Sequence, residues 1–372
     1  MNVLHVCREN PERILGGRGI HIKNLLPELR KAGINALLLT EGMQTRLHDE
    51  KDILEVCPAH TVVMRDAPVN YIQDNWFFYT VAIEHLHDWH FDIVHIHDSD
   101  LAPCAMELAR FFEAKLVSTI HLSIRRVVPG DVIPTHYILH DLYEQALLAA
   151  SQKVILCSKY YAQEMQSIHR FDYPIAIVPN GVNESPLQSK RNDFTVFYAG
   201  RIAEQKGIKI LIDAIKQRPD IHWIISGKVH AITREAELTN RAWSELLNLT
   251  EQYPETITLT GHLSNEEVLK IGGSCHAWIA PSLHAPFEIV GLEAMMGKTP
   301  FICTRTGGFL EYADDENCWF IEPHPDSLLA AIEQIRNNPF EAQRRVDNAF
   351  RDARTFTWKN VAKATKAVYE SL

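Results

Sequence analysis

No apolar run in this 372-residue sequence approaches the about 20 residues that a helix needs to cross a bilayer. The opening MNVLHVC reads as a strand rather than a secretory leader. Cysteine is sparse and scattered, with seven residues at positions 7, 57, 104, 157, 275, 303 and 318. An odd set without CxxC spacing excludes a disulfide framework and a zinc module, and a reducing cytoplasm fits it. Positive charge is also short: Lys and Arg number 37 against 47 Asp and Glu, for a net charge of -10. That balance argues against a nucleic-acid partner gripped through its phosphates. There is no GxGxxG, no P-loop, no short repeat and no low-complexity segment, and a nicotinamide-dependent dehydrogenase is correspondingly disfavoured.

What remains is the composition of an ordinary globular protein, 46% hydrophobic and 23% charged, in a chain long enough for two domains. Among nineteen histidines, His95 and His97 lie two apart on a strand and share a face, but nothing else visibly converges on them. They read as structural histidines, and no metal is expected.

Strand and helix patterns alternate from the start. NVLHVC (2–7) is a buried strand, followed by a glycine loop LGGRG (15–19) and a helix IHIKNLLPELRKAG. That order lets backbone N–H groups of Gly16 and Gly17 approach a phosphate, although a plain flexible turn would read the same way. INALLLT (34–40), HTVVM (60–64), FDIVHIHD (91–98), KLVSTIH (115–121) and SQKVIL read as further strands, with WFFYTVAIEHLHDW and LAPCAMELARFF as helices on either side of FDIVHIHD. Ser158 is placed to cap the helix after the last of these. His97, Asp98 and His121 fall at strand ends, where parallel α/β sheets bind ligands. Arg125 and Arg126 open a patternless loop to Thr135, and solvation is favoured over an anionic acceptor for both.

Residues 174–193 shift to proline, asparagine and charge and read as an interdomain linker. A second series follows: FTVFYAG (194–200), IHWIISG (221–227), ITLTGHL, HAWIAPS, FICTRTGG and CWFIEP as strand regions, with helices between, one opened by a capping box at Ser264 and Glu267. Two Rossmann-like domains with a cleft between their strand ends are expected.

Two stretches carry chemistry. AGRIAEQKG (199–207) delivers Arg201 and Lys206 on one loop before a helix amino terminus, a combination suited to a diphosphate and otherwise a solvated basic loop. PSLHAPFEIVGLEAMMGKTP (281–300) runs from loop to a short amphipathic helix in which Ile289, Leu292, Ala294 and Met296 can pack. Glu293 near its amino-terminal turns suits a ribose hydroxyl pair, and a solvated helix glutamate is the equal alternative.

In this order the motifs resemble family 4 of the GT-B glycosyltransferases, retaining enzymes that use nucleotide sugars. GGRG, FDIVHIHD, VSTIH, VPNGV, AGRIAEQKG, APFEIVGLEAMMGKTPFI and TGGFLEY together cover essentially the whole chain. The resemblance implies a GT-B α/β fold of two parallel-sheet Rossmann-like domains facing an interdomain cleft. An acceptor domain would span 1–180 and a nucleotide-sugar domain 181–355, with a helix over 356–372 packing back toward the first. It implies that Arg201 and Lys206 neutralise the donor diphosphate, that Glu293 holds the ribose, and that His121 faces the donor sugar. Gly16 and Gly17 would approach the phosphates or sugar, and Phe287, Ile289 and Val290 would contact sugar hydroxyls through their backbone. The donor would be a nucleotide diphosphate sugar and the acceptor a small molecule or saccharide, with no cofactor and no required metal.

One departure stands out. The family's first glutamate would fall at position 285, which is Ala285, and its usual glycine is Glu288. Three readings follow: Glu288 supplies the carboxylate from a shifted position, the donor presents a different group there, or activity is weak or lost. A degenerate nucleotide-sugar-binding module and a non-transferring enzyme such as an epimerase are the alternatives to transfer. A phosphorylase would demand a pyridoxal lysine and a longer chain.

Overall fold

The computed structural model describes residues 1–14, 16–48, 50, 52–58, 68–127, 137–170, 172–185, 187–229 and 235–372. They divide into two compact units, Met1–Asn180 with Trp358–Leu372, and Gly181–Thr357. The expected strand HTVVM and most of the loop after Arg126 lie outside the described residues.

The first unit is built on strands β1 (Asn2–Val6), β2 (Asn35–Glu41), β3 (Arg46–His48), β4 (Ile53–Val56), β5 (Ile93–His97), β6 (Lys115–Ile120), β7 (Lys153–Leu156) and β8 (Ile175–Ile177). They form one sheet in the order β3-β4-β2-β1-β5-β6-β7-β8. Every pairing is parallel except β3 with β4. Its helices are α1 (Gly17–Lys31), α2 (Pro68–Leu86), α3 (Ala102–Phe111), α4 (Ile124–Val127), α5 (Ile138–Ala150) and α6 (Lys159–Ile168), joined by the carboxy-terminal α13 (Trp358–Glu370). The central strands are buried along nearly their whole length, which is why they read as continuous rather than alternating apolar runs. The last helix is tied to this unit by polar contacts. Lys366 Nζ donates to the Ala32 carbonyl at the end of α1, and Tyr369 meets a buried histidine of β5.

Three local expectations change. β8 lies inside the stretch read as linker and pairs with β7, so the proline-rich composition begins within the sheet. The helix after the glycine loop starts at Gly17, with Gly16 as its extended N-cap, so half of the glycine motif is already helical. Arg125 is ion-paired with Asp141, and Arg126 Nε lies 2.9 Å from Glu164 Oε1, so neither is simply solvated.

The second unit holds β9 (Thr195–Ala199), β10 (His222–Ser226), β11 (Ile257–Gly261), β12 (Ala277–Ala280), β13 (Phe301–Thr304) and β14 (Trp319–Ile321). They form an all-parallel sheet in the order β11-β10-β9-β12-β13-β14. Helices α7 (Ile208–Gln217), α8 (Glu235–Gln252), α9 (Asn265–Ser274), α10 (Ile289–Met296), α11 (Pro325–Asn337) and α12 (Pro339–Ala353) connect and cover it. α7 shows why the sequence folds this way: Ile208, Leu211, Ile212 and Ile215 recur at helical spacing and are almost completely buried. Each such side chain contributes on the order of 2 kcal/mol of transfer free energy.

Candidate functional site

Each sheet reverses direction at one point. In the second unit the chain goes from β9 to β10 on one side, then crosses to β12 on the other, so the loops after β9 and β12 bracket the switch point. Ligands of open parallel sheets bind there, beyond the carboxyl ends of the strands. These two loops carry AGRIAEQKG and the HAPFE stretch.

After β9, Gly200 donates to the Ser226 carbonyl and Ile202 to the Lys228 carbonyl, which holds the loop against its neighbour. Glu204–Lys206 then form a 3-10 turn where an irregular loop was expected. Gly207 follows at φ +70° and is the N-cap of α7. A Cβ at Gly207 would run into the Pro281 carbonyl oxygen, so the glycine is required both by its backbone angle and by the other loop. The two loops also bond directly, Leu283 N donating to Gln205 O at 2.9 Å. Arg201 is partly exposed, and its guanidinium has no hydrogen-bond or ion-pair partner among the described residues.

Lys206 is engaged. Its Nζ lies 2.6 Å from Glu288 Oε1, and both side chains are largely buried. Glu288, which stands where the family pattern has glycine, is the N-cap of α10 but makes no side-chain cap bond, because its carboxylate is spent on Lys206. Tyr312 Oη donates to the Glu288 carbonyl at 2.6 Å and so fixes the opening of the helix. The first-turn amides at Ile289 and Val290 have no intrahelical acceptor by construction, which leaves the positive end of α10 beside the pair. Phe287, Ile289 and Val290 thus sit at that terminus. Ala285 is completely buried, its carbonyl accepting from Gly308 N at 2.6 Å.

α10 is not amphipathic. Ile289, Gly291, Leu292, Ala294, Met295 and Met296 are all buried, because the short helix is packed all round. Glu293 is buried with them, only 6% exposed, which removes the reading of a solvated helix glutamate. Burial pushes its carboxyl up to about 7, partly opposed by the Asn265 amide, whose Nδ2 donates to Oε1 at 2.6 Å. Asn265 is held by the capping box that Ser264 and Glu267 form at the start of α9. A dehydrated carboxylate with one fixed donor is a strong acceptor for further hydroxyl donors.

The first unit has its own switch point between β1 and β5, and it is crowded with charge. Gly16 N donates to Glu9 Oε1 at 2.7 Å, so a carboxylate of the chain itself occupies the N-cap amide of α1. In front of Gly16 and Gly17 an added Cβ would meet nothing within 4 Å. Arg18 joins Glu9, Asp98 and Asp100 through ion pairs. Asp98 adopts φ +63° and its Oδ1 accepts from the backbone N–H of His121 at 2.7 Å. Burial lifts the Asp98 carboxyl to about 7 against the pull of Arg18.

His121, at the end of β6, is one of five histidines that converge, contrary to the expectation that nothing joins His95 and His97. His5 and His95 are partners in the β1–β5 register, and His97 lies two residues further on. His5 Nδ1 is 3.1 Å from His97 Nε2, and His97 Nδ1 is 3.4 Å from His121 Nε2. His95 bonds Tyr369 Oη and Thr119 Oγ1 at 2.6 and 2.8 Å. Desolvation drives His5 down to about 3 and His21 to about 4, and places His95, His97 and His121 well below their ordinary range. Burial thus disfavours the charged form of all five. The signal available in the sequence was histidine inside two apolar strands, since a buried imidazole requires partners.

Residues 15–185 match the family model Glycosyltransferase Family 4, and residues 182–352 match Glycosyl transferases group 1. The chain is 26% identical to glycogen synthase of Mycobacterium tuberculosis over 396 aligned positions, covering 99% of this chain and 94% of the relative. Among solved structures, sucrose-phosphate synthase from Thermosynechococcus elongatus matches with a TM-score of 0.83 at 18% identity, over 100% of this chain and 99% of that one. Anabaena HepE in complex with UDP-glucose matches with a TM-score of 0.77 at 16% identity, over the full length of both. Two parallel α/β sheets, both family models and these neighbours agree: the chain belongs to family 4 of the GT-B-fold glycosyltransferases.

Proposed function

We propose that this enzyme transfers a sugar, with retention at the anomeric carbon, from a nucleotide diphosphate sugar to an acceptor hydroxyl. The observation that carries the reading is the grouping at the second unit's switch point of Arg201, which has no ion-pair partner among the described residues, Lys206, the amino end of α10 and buried Glu293. Arg201 and Lys206 neutralise the departing diphosphate, so no metal need sit on it. Glu293 accepts the ribose hydroxyls, and the backbone of Phe287 to Val290 addresses the sugar. His121 keeps the sugar-facing role that the motif assigns. That Anabaena HepE was crystallised with UDP-glucose supports a nucleotide sugar as donor. The acceptor is a small molecule or saccharide, and the seven free cysteines fit a cytoplasmic setting.

A donor screen with product mass measurement tests the reading. Arg201→Ala should lower turnover by about 10²–10³ at unchanged circular dichroism. Near-normal transfer by that variant would overturn the assignment. Ala285 and the Lys206–Glu288 pair favour one second reading, a nucleotide-sugar-binding protein without transfer. Calorimetric titration with UDP, GDP and ADP, followed by turnover of the matching sugar donors, separates the two: binding without turnover marks the second.

A further inference from the structure

The histidine cluster of the first unit carries more than a sugar-facing side chain. One ring nitrogen from each of His21, His97 and His121 lies within 4.8 Å of the others. Their ring centroids are 4.7 Å (His21–His121), 5.4 Å (His21–His97) and 5.7 Å (His97–His121) apart. In a tetrahedral zinc site, Zn–N bonds of about 2.0–2.1 Å put ligating nitrogens about 3.4 Å apart and ring centres about 5.2 Å apart. His97 Nδ1 and His121 Nε2 stand 3.4 Å apart, long for a hydrogen bond and right for two ligands of one ion.

His21 supplies the independent observation. Its Nδ1 is 2.7 Å from Asn180 Oδ1, and an amide oxygen only accepts, so Nδ1 carries the proton. Nε2 is left with a bare lone pair, buried and without a hydrogen-bond partner among the described residues. A sealed acceptor of this kind is costly unless something electron-poor sits against it. The hydrogen bond from the far nitrogen to a fixed oxygen is the arrangement that orients ligating imidazoles. His97 is placed similarly, with Nε2 at 3.1 Å from His5 Nδ1.

We propose that His21 Nε2, His97 Nδ1 and His121 Nε2 form a binding site for one divalent transition ion of the Zn²⁺ class, with a fourth position open to water. Imidazole ligands select such ions over Mg²⁺ or Ca²⁺. The neighbouring trio His5, His95 and His97 is the poorer site, because both nitrogens of His95 are already bonded to Tyr369 and Thr119. No step of sugar transfer requires the ion.

Full-length protein stripped with chelator and titrated with ZnCl₂ by calorimetry should bind one ion per chain more tightly than any other. The Co²⁺ adduct should show the intense visible bands of a four-coordinate centre. His21→Phe should abolish the tight site and those bands, and Asn180→Ala should weaken Zn²⁺ binding about 10–100-fold. Absence of a saturable tight site would overturn the proposal, as would equal affinity in His21→Phe. Should that variant fail to fold, unchanged affinity in Asn180→Ala overturns it alone. Both measurements read the metal, so their outcome is independent of whether the donor assignment stands.

Discussion

Glu293→Gln removes the charge of a buried carboxyl while keeping its shape and its acceptor for Asn265. The folded protein holds this carboxyl at about 7 against an ordinary 4.5. At about 1.4 kcal/mol per pKa unit, ionising it in place costs on the order of 3 kcal/mol of stability. The sign follows from the direction. A raised carboxyl favours the folded state while protonated, fully so below 4.5, and that contribution is lost as pH rises through about 7. The variant has no such group. Urea denaturation of both proteins from pH 4.5 to 8 should show the variant gaining on the parent by up to about 3 kcal/mol, with a plateau above pH 7. A constant offset from exchanging hydroxyl for amide does not disturb this slope. The same variant should bind nucleoside diphosphates more weakly, since a neutral amide is a poorer acceptor for ribose hydroxyls. Stability gained together with affinity lost is the signature of a strained functional group. Parallel stability curves for the two proteins across this range would refute the argument.

Glu288→Gln should release Lys206 and raise nucleoside diphosphate affinity by up to about tenfold, or about 1.4 kcal/mol, in calorimetric titration. Unchanged or weaker binding would show that the pair does not compete with the ligand. If Glu288 also meets the sugar, transfer should fall while nucleotide binding rises, a split visible in kcat against KM. Gly207→Ala should destabilise the protein by about 1–3 kcal/mol in urea denaturation, from its left-handed backbone and the Pro281 carbonyl together. A loss under about 0.5 kcal/mol would mean the two loops separate easily.

The alternation of strands and helices was legible because fully buried parallel strands are uninterrupted apolar runs and their helices keep a 3.6-residue period. What escaped was short or set by distant contacts. β3 and β4 span only Arg46–His48 and Ile53–Val56, too brief for a period to show. α5 was passed over although Leu147 and Leu148 are buried. β8 was masked by the prolines on either side of Ile175–Ile177. In the second unit, Arg201, Lys206 and Glu293 came from spacing and family pattern, whereas the Lys206–Glu288 bond joins residues 82 apart and no local pattern encodes it. In the first unit, His5, His21 and His121 meet His97 only through sheet register and the fold of α1. The burial of Glu293 likewise depends on α9, α12 and β13 closing around α10, which a local reading of LEAMM cannot anticipate.

The stretch from Ala285 to Glu288 does not hold its own shape. Gly308 donates to Ala285, a Cβ at Gly307 would strike the Ala285 carbonyl and one at Gly308 the Pro286 carbonyl, and Tyr312 grips Glu288. The later segment is a mould on which the earlier one is cast. Anyone grafting the 283–289 loop of another family member into this scaffold to change its sugar would therefore have to move residues 304–312 as well. Natural recombination faces the same restriction: a crossover falling between the two segments would mismatch loop and mould, so they should travel as a single cassette.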